Sequence, residues 1–338
     1  MKMTMIEKLI AAKVGHAVKP GDIVTVGADR VMLDDIMMPF IAAKFEEMGF
    51  QEVWDPEKVV IICDHLVPAS QVDDIRAYKL SNEFAAKYGV PNLHRSDGVC
   101  HQLMTEAGYV KPGDLVFGTD SHTTTYGCVG AFSTGIGYTE MAAVLGTGEI
   151  WLRVPETIRI EINGKLPANV MSKDVILRII GDLTAAGATY RALEFTGDAV
   201  EAMSLSSRMT MANMGIEAGA KCALFAPDEK TAEYLGIELT EAERALAGDA
   251  DYQRYYILRD GRNKKCADDP GEPPTNWQCA FGGSAWQWEP RLGKWYLHLH
   301  DVSQPDLDWT NPTVRDELAK VVRFWKERGV AGFRFDVI

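Results

Sequence analysis

Two short runs in this chain carry no polar interruption, Val59-Val-Ile-Ile62 and Leu115-Val-Phe117. A strand with one face in water alternates apolar and polar residues, whereas a strand covered on both faces reads as a continuous apolar run. Runs of this kind require packed layers on both sides of a sheet, and the intervening sequence supplies helices to build them. Asp22–Gly27 reads as a short strand. Asp34–Asp35 reads as the cap of a helix running through Met48, and Ser70–Tyr88 and Tyr138–Leu145 as further helices. Thr157–Ile162 alternates like a half-buried strand, Ser172 caps a helix through Leu183, and Ser206–Ala218 is another helix. This alternation, sustained to about residue 236, predicts an α/β architecture with a mostly parallel sheet.

Each uninterrupted run leads into an acid and a histidine. Asp64–His65 follow Val59–Cys63, and Asp120-Ser121-His122 follow Leu115–Phe117 through Gly118. A third histidine, His101, comes after Gly98-Val99-Cys100 at the start of a predicted helix. Ligands of parallel sheets bind at the carboxyl ends of the strands, so three histidines and two aspartates can converge on one crevice. Such a group suits proton transfer beside a bound anion, or metal binding; each pair alone equally fits a structural hydrogen bond. Gly135-Ile-Gly137 lacks the third glycine of a dinucleotide fingerprint and is discounted as a nucleotide site.

The bulk properties narrow the function. The length of 338 residues allows two or three domains, and 46% apolar with 25% charged residues is the balance of a globular protein. A net charge of −13 argues against a nucleic-acid or anionic-membrane surface, but leaves room for a positive pocket and an anionic substrate. No apolar run reaches the roughly 18 residues of a membrane span. Ile6, Leu9, Ile10 and Val14 fall at helical spacing with Glu7 among them and no signal-peptide core behind, which predicts a cytoplasmic protein. The six cysteines form no C-x-x-C pair; Cys63, Cys100, Cys128 and Cys222 read as buried thiols, and Cys266 and Cys279 stand thirteen apart.

Composition changes near residue 251. All fourteen methionines lie at or before Met214, and six of the eight tryptophans lie after it. Arg259–Pro274 is polar and rich in Gly, Pro, Lys and Asp, which fits either a linker between domains or the meeting point of two unrelated proteins. In the tail, tryptophans interleaved with acids suit sugar binding or a tryptophan-rich core. Asn311–Arg328 reads as an amphipathic helix with Val314, Leu318, Val321, Val322 and Trp325 on one face, and Val330–Ile338 as an apolar strand.

Residues 1–251 resemble the large subunit of the aconitase superfamily, in the branch of 3-isopropylmalate dehydratase, homoaconitase and 2,3-dimethylmalate dehydratase. The matching stretches are Val-Met-Leu-Asp-Asp-Ile-Met-Met-Pro-Phe (31–40), Ile-Cys-Asp-His-Leu-Val-Pro-Ala-Ser (62–70), Gly-Val-Cys-His-Gln (98–102), Gly-Thr-Asp-Ser-His-Thr (118–123), Ala-Asn-Met-Gly-Ile-Glu-Ala-Gly-Ala (212–220) and Ala-Pro-Asp-Glu-Lys-Thr (226–231). The resemblance implies an incomplete three-layer α/β/α domain and a hydro-lyase that dehydrates and rehydrates a hydroxy di- or tricarboxylate. It implies a [4Fe-4S] cluster acting as a Lewis acid, a small carboxylate substrate, and a small swivel-domain subunit that brings the serine base. It casts Asp64 with His65 and Asp120 with His122 as the acid–histidine pairs around the substrate, and His101 as donor to the leaving hydroxyl. Ser121 becomes a carboxylate contact, and Glu194 in Ala192-Leu-Glu-Phe-Thr-Gly197 the acid near the iron. The family's cluster cysteines belong to motifs beyond residue 251, and no metal ligand is identifiable in this chain.

Residues 252–338 resemble a fragment of the alpha-amylase family of glycoside hydrolases, near the oligo-1,6-glucosidases and alpha-glucosidases. The likeness rests on Tyr-Tyr-Ile-Leu-Arg-Asp-Gly (255–261), Pro-Pro-Thr-Asn-Trp-Gln (273–278), Phe-Gly-Gly-Ser-Ala-Trp (281–286), Tyr-Leu-His-Leu-His (296–300), Gln-Pro-Asp-Leu-Asp-Trp (304–309) and Gly-Phe-Arg-Phe-Asp-Val-Ile (332–338). It implies a partial (β/α)8 barrel with Asp336 as nucleophile and Arg334 orienting it. A retaining glycosidase needs a second carboxylic acid opposite the nucleophile, which this stretch lacks, so no glycosidase activity is expected. The alternatives to an incomplete hydro-lyase are a glycosidase fragment and a non-catalytic chimera.

Overall fold

The computed structural model describes residues 3–238, 253–264, 269–280, 282–290, 292–302, 304–329 and 332–333. It divides into two compact units, Met3–Leu239 and Thr240–Ile338 with Met1–Lys2. The protein is mixed α/β with parallel sheets.

In the larger unit, α1 (Met5–Val14) is followed by β1 (Ile23–Gly27), β2 (Arg30–Asp34), α2 (Met38–Glu47), β3 (Val59–Ile62), α3 (Val72–Tyr88), β4 (Asn92–His94), α4 (Cys100–Glu106) and β5 (Leu115–Gly118). A 3-10 helix, Ser121–Val129, leads to β6 (Phe132–Gly135), α5 (Tyr138–Thr147), β7 (Glu149–Arg153), β8 (Thr157–Glu161) and α6 (Ser172–Leu183). The unit continues with β9 (Ala192–Thr196), α7 (Asp198–Ala202), α8 (Leu205–Asn213), a 3-10 turn (Met214–Ala218), β10 (Cys222–Phe225) and α9 (Glu229–Leu235).

The central sheet has the order β4-β3-β2-β5-β6, parallel throughout. Its two faces open on different cores. Val31, Leu33, Val59, Ile61, Leu115 and Phe117 pack into one cluster, while Met32, Val60, Ile62 and Val116 pack into another. That is why β3 and β5 carry no polar residue. A second parallel sheet, β10-β9-β8, and an antiparallel pair, β1-β7, complete the unit.

Two predicted helix caps are corrected. Asp34 ends β2 and accepts from Met37 N at 2.8 Å, as a helix-entry acid should, but Asp35 does not cap α2. Its carboxylate takes His65 N at 3.1 Å and Leu66 N at 3.0 Å, because the loop after β3 offers it two adjacent, partly buried amides. Ser172 is the first residue of α6, and Asp174 closes that end by accepting from Met171 N at 2.8 Å. The predicted helix 206–218 is α8, capped by Ser204, followed by the 3-10 turn.

In the smaller unit, β11 (Leu258–Arg259), β12 (Trp286–Glu289) and β13 (Lys294–Leu297) form an antiparallel sheet, order β11-β13-β12, followed by α10 (Pro312–Glu327). The pairing here is antiparallel among the described residues, in contrast to the parallel arc expected of a barrel fragment. Arg259–Pro274 is not a bare linker: Arg262 and Glu272 exchange backbone hydrogen bonds at 2.8 and 2.9 Å, and Trp295 Nε1 donates to Pro270 O at 2.7 Å. Ala285, Trp286 and Leu297 form a small core. On α10, Val314 is buried, but Val321, Phe324 and Trp325 are 52%, 46% and 49% exposed. Apart from Gly332 and Phe333, the predicted strand Val330–Ile338 lies outside the described residues.

Candidate active site

β3 and β5 flank β2 on its two sides, which brings the loops 63–66 and 119–122 to the same carboxyl edge of the sheet. Thr119 ties that edge to β2: its Oγ1 donates to Asp34 Oδ2 at 2.6 Å. Asp120 then caps the 3-10 helix, its Oδ1 accepting from His122 N at 2.6 Å. The threonines of this helix, 123, 124 and 125, are buried and spend their hydroxyls internally, Thr123 on Asp120 O and Thr125 on His122 O. They build the loop and do not face a ligand.

One carboxylate gathers three imidazoles. His65 Nε2 lies 3.2 Å from Asp120 Oδ2, His101 Nε2 3.0 Å from Oδ1, and His122 Nδ1 3.6 Å from Oδ1. The His65 ring also meets Asp64 Oδ1 through Nδ1 at 2.8 Å, so it bridges two acids. Asp64 Oδ2 in turn accepts from Cys100 N at 2.7 Å and thereby fixes the start of α4, which carries His101. Ser121 Oγ sits 3.2 Å from His122 Nδ1.

The electrostatics follow from these contacts. Hydrogen bonds to Asp120 and then Asp64 push the His65 imidazole up to about 10, so it is an imidazolium at neutral pH. Burial raises the Asp120 carboxyl, but His101, His65 and the His122 amide outweigh it and hold the group well below the usual carboxylate range. Burial likewise opposes the hydrogen bonds from His65 and Cys100 at Asp64, and there too the net shift is downward. His101 Nδ1 is buried without a hydrogen-bond partner, as is the Tyr126 hydroxyl beside it, with the two rings 6.3 Å apart.

The structure brings together Asp64, His65, His101, Asp120, Ser121 and His122. Glu194 stands apart from them. It is buried on β9, where Oε1 accepts from Ile6 N at 3.1 Å, and burial raises its carboxyl. The acid that reaches the histidines is Glu217, whose Oε1 lies 3.3 Å from His122 Nε2. It sits in the stretch Ala212–Ala220, which carries one of the resemblance motifs and was the available signal. Asp35, which holds the His65–Leu66 backbone, was the other site residue missed. Arg334 and Asp336 lie outside the described residues.

The thiols do not fit an iron–sulfur cubane. Cys63, Cys100, Cys128 and Cys222 are all buried, and burial drives each thiol up, Cys63 to about 11 and Cys128 to about 12. Cys128 and Cys222 pack within the hydrophobic cores. Among the described residues, the grouping of three potential ligands is Asp64, His65 and Cys100, with one thiol in it. Among the described residues a cluster held by three thiolates has no matching donor set; Cys266 lies outside them.

This chain belongs to the aconitase family: the model of that family (aconitate hydratase) matches residues 7–266. It is 46% identical over 252 residues to the 3-isopropylmalate dehydratase large subunit 1 of Methanopyrus kandleri, spanning 74% of this chain and 60% of that protein. It is 45% identical over 260 residues to the probable 3-isopropylmalate dehydratase large subunit of Methanothermobacter thermautotrophicus, 76% of this chain and 62% of that protein. The probable methanogen homoaconitase large subunit of the same organism is 42% identical over 259 residues, 75% of this chain and 60% of that protein. The chain thus spans about 60% of the length of these relatives. The catalytic-domain model of alpha amylase matches residues 233–338. A solved trehalose-6-phosphate hydrolase from Bacillus licheniformis aligns with 54% of this chain and 35% of its own at 24% identity and a TM-score of 0.27, too low to carry an argument. No helix among the described residues is long and apolar enough to cross a membrane.

Proposed function

We propose that residues 1–251 are the N-terminal part of an aconitase-type α/β/α large subunit, built for hydro-lyase chemistry on a hydroxy di- or tricarboxylate such as 3-isopropylmalate or homoaconitate. Residues 252–338 are, in this reading, a fragment of an alpha-amylase-family barrel that adds no reaction. The protein is placed in the cytoplasm, with a small swivel-domain subunit as partner. The observation that carries the reading is the focusing of His65, His101 and His122 on Asp120 at the sheet edge.

Dehydration takes a proton from one carbon while the neighbouring carbon loses its hydroxyl, which leaves as water once protonated. The residues present serve the second half of that exchange. His65, an imidazolium clamped between Asp64 and Asp120, offsets the charge of these two acids and fixes Asp120 in place beside the other two histidines. His101 holds Asp120 through Nε2 at 3.0 Å and is the group that the resemblance assigns to pass a proton to the departing hydroxyl. His122, partly exposed between Asp120 and Glu217, is placed to exchange that proton with solvent. The carbon base and the cluster ligands belong, by the family resemblance, to parts beyond residue 251, so the chain carries the acid side of the site.

The test is binding. With histidine labelled by 15N, 3-isopropylmalate is expected to shift the imidazole resonances of His65, His101 and His122, and Asp120→Asn to abolish the shifts. An α-glucoside is expected to leave them unmoved and to release no p-nitrophenol. Release of p-nitrophenol, with these imidazoles unmoved by 3-isopropylmalate, would replace this reading with the glycosidase one.

A further inference from the structure

A cavity of about 450 Å3 opens next to Ser121 and is lined by Thr119, Thr134, Thr189, Tyr190 and Lys221 among others. Thr119 and Ser121, on either side of Asp120, are part of its lining, and Lys221 brings a cation to it. Thr119 and Thr189 line it but have already donated their hydroxyl hydrogens, to Asp34 Oδ2 at 2.6 Å and Ala186 O at 2.8 Å. The side-chain groups left to donate to an anion are Ser121 Oγ, the Tyr190 hydroxyl, which accepts from Arg153 N at 3.3 Å, and the Lys221 ammonium. The Lys221 ammonium is half-buried and makes one long hydrogen bond, 3.4 Å to Gly135 O, out of the three it can donate.

Its position is held from the other side by Tyr190. The ring lies 5.7 Å from Lys221 Nζ and 4.6 Å from the Arg153 guanidinium, so two cations share one aromatic face or edge. Tyr190 adopts φ +57°, the left-handed region that a bulky residue rarely occupies. Its amide and Lys221's are both pinned, to Gly219 O at 3.2 Å and Arg191 O at 2.8 Å. A strained tyrosine that supports an under-partnered lysine in a cavity is an arrangement that a bound anion completes. The exposed carboxylate of Glu140 lies near Gly137, a lining residue, and acts on Lys221 against the effect of burial without a direct ion pair.

We propose that Lys221 is a substrate-binding residue: with Ser121 it forms the subsite for the carboxylate of the hydroxy acid that lies farther from the histidines. This rests on the hydro-lyase reading and gives it a polarity, with the reacting hydroxyl at His101 and the distal carboxylate in the Lys221 cavity. Burial holds the Lys221 amine below its usual value, and a carboxylate partner would restore it.

The experiment compares 3-isopropylmalate with 2-hydroxy-4-methylpentanoate, which is the same skeleton without the second carboxylate, by calorimetry and imidazole NMR on the full chain. The native protein is expected to bind the diacid at least tenfold more tightly. Lys221→Met is expected to weaken the diacid about tenfold and leave the monoacid unchanged, while Lys221→Arg keeps the preference. Lys221→Gln, which retains a polar end, serves as the second variant, and unchanged thermal unfolding shows that the fold is intact. An unaltered diacid preference in both Lys221→Met and Lys221→Gln overturns the subsite while leaving the hydro-lyase reading standing. If neither acid moves the imidazoles of the native chain, the hydro-lyase reading falls and takes the subsite with it.

Discussion

An imidazole that donates from both ring nitrogens must carry the proton, and His65 meets Asp64 on one side and Asp120 on the other. Two consequences can be measured. Asp120→Asn removes the larger partner, so the His65 pKa is expected to fall from about 10 toward the ordinary value near 6.5; an NMR titration with no change would show that Asp64 alone sets it. The second consequence is linkage. The folded-state value lies above the unfolded one, so the folded state binds the extra proton. The stabilisation is complete below about pH 6.5 and is lost as pH rises through about 10. Urea unfolding should therefore weaken across that window in the native protein, and His65→Gln should flatten the decline. At the acid end, Asp120 and Asp64 are held low, so their contribution is present above about pH 4 and lost below it. The buried thiols make a further prediction: incubation with iron and sulfide leaves this chain colourless, and a broad visible band would show that its cysteines rearrange to hold a cluster.

The 3-10 helix Ser121–Val129 is pressed against β10 with no room for a side chain at Gly127. A Cβ there would sit 1.7 Å from Ala223 O. Gly127→Ala must push a core strand aside, which is expected to cost about 3 kcal/mol, the upper end of the usual overpacking range, in urea unfolding. A change below about 0.5 kcal/mol would mean that the helix and strand are not packed this closely. How much of this was legible follows the same physics. β3 and β5 announced themselves because both faces are buried, and the acid–histidine pairs because they follow those strands directly. β6, β9 and β10 did not: Phe132–Gly135 and Ala192–Thr196 mix in Gly, Ser, Thr or Glu, and Cys222–Phe225 is an apolar run of four that periodicity cannot tell from a helix segment. Glu217 was hidden for another reason. Its partner His122 is 95 residues away, and only the packing of the 3-10 turn beside the Asp120 loop makes it a site residue, whereas Glu194 looked the part in sequence and is spent on the amide of Ile6.

At the scale of the whole chain, the two units differ in how much core they own. The Met3–Leu239 unit has two extensive buried clusters on opposite faces of one parallel sheet. Among the described residues, the Thr240–Ile338 unit centres on Ala285, Trp286 and Leu297, and its longest helix leaves Val321, Phe324 and Trp325 about half exposed. Stability grows with the apolar surface that folding removes from water, and small cores sit close to the margin. Calorimetry of the intact chain is therefore expected to give two transitions: a sharp one with most of the enthalpy from the larger unit, and a broad one at lower temperature from the smaller. Brief trypsin treatment between the two temperatures should cut first at α10, where Lys320, Arg323, Lys326 and Arg328 lie on the exposed stretch, and leave a fragment ending before residue 260 that keeps the sharp transition. A single transition whose midpoint drops after such cleavage would mean that the two segments unfold as one cooperative body and that the tail stabilises the sheet carrying the histidines.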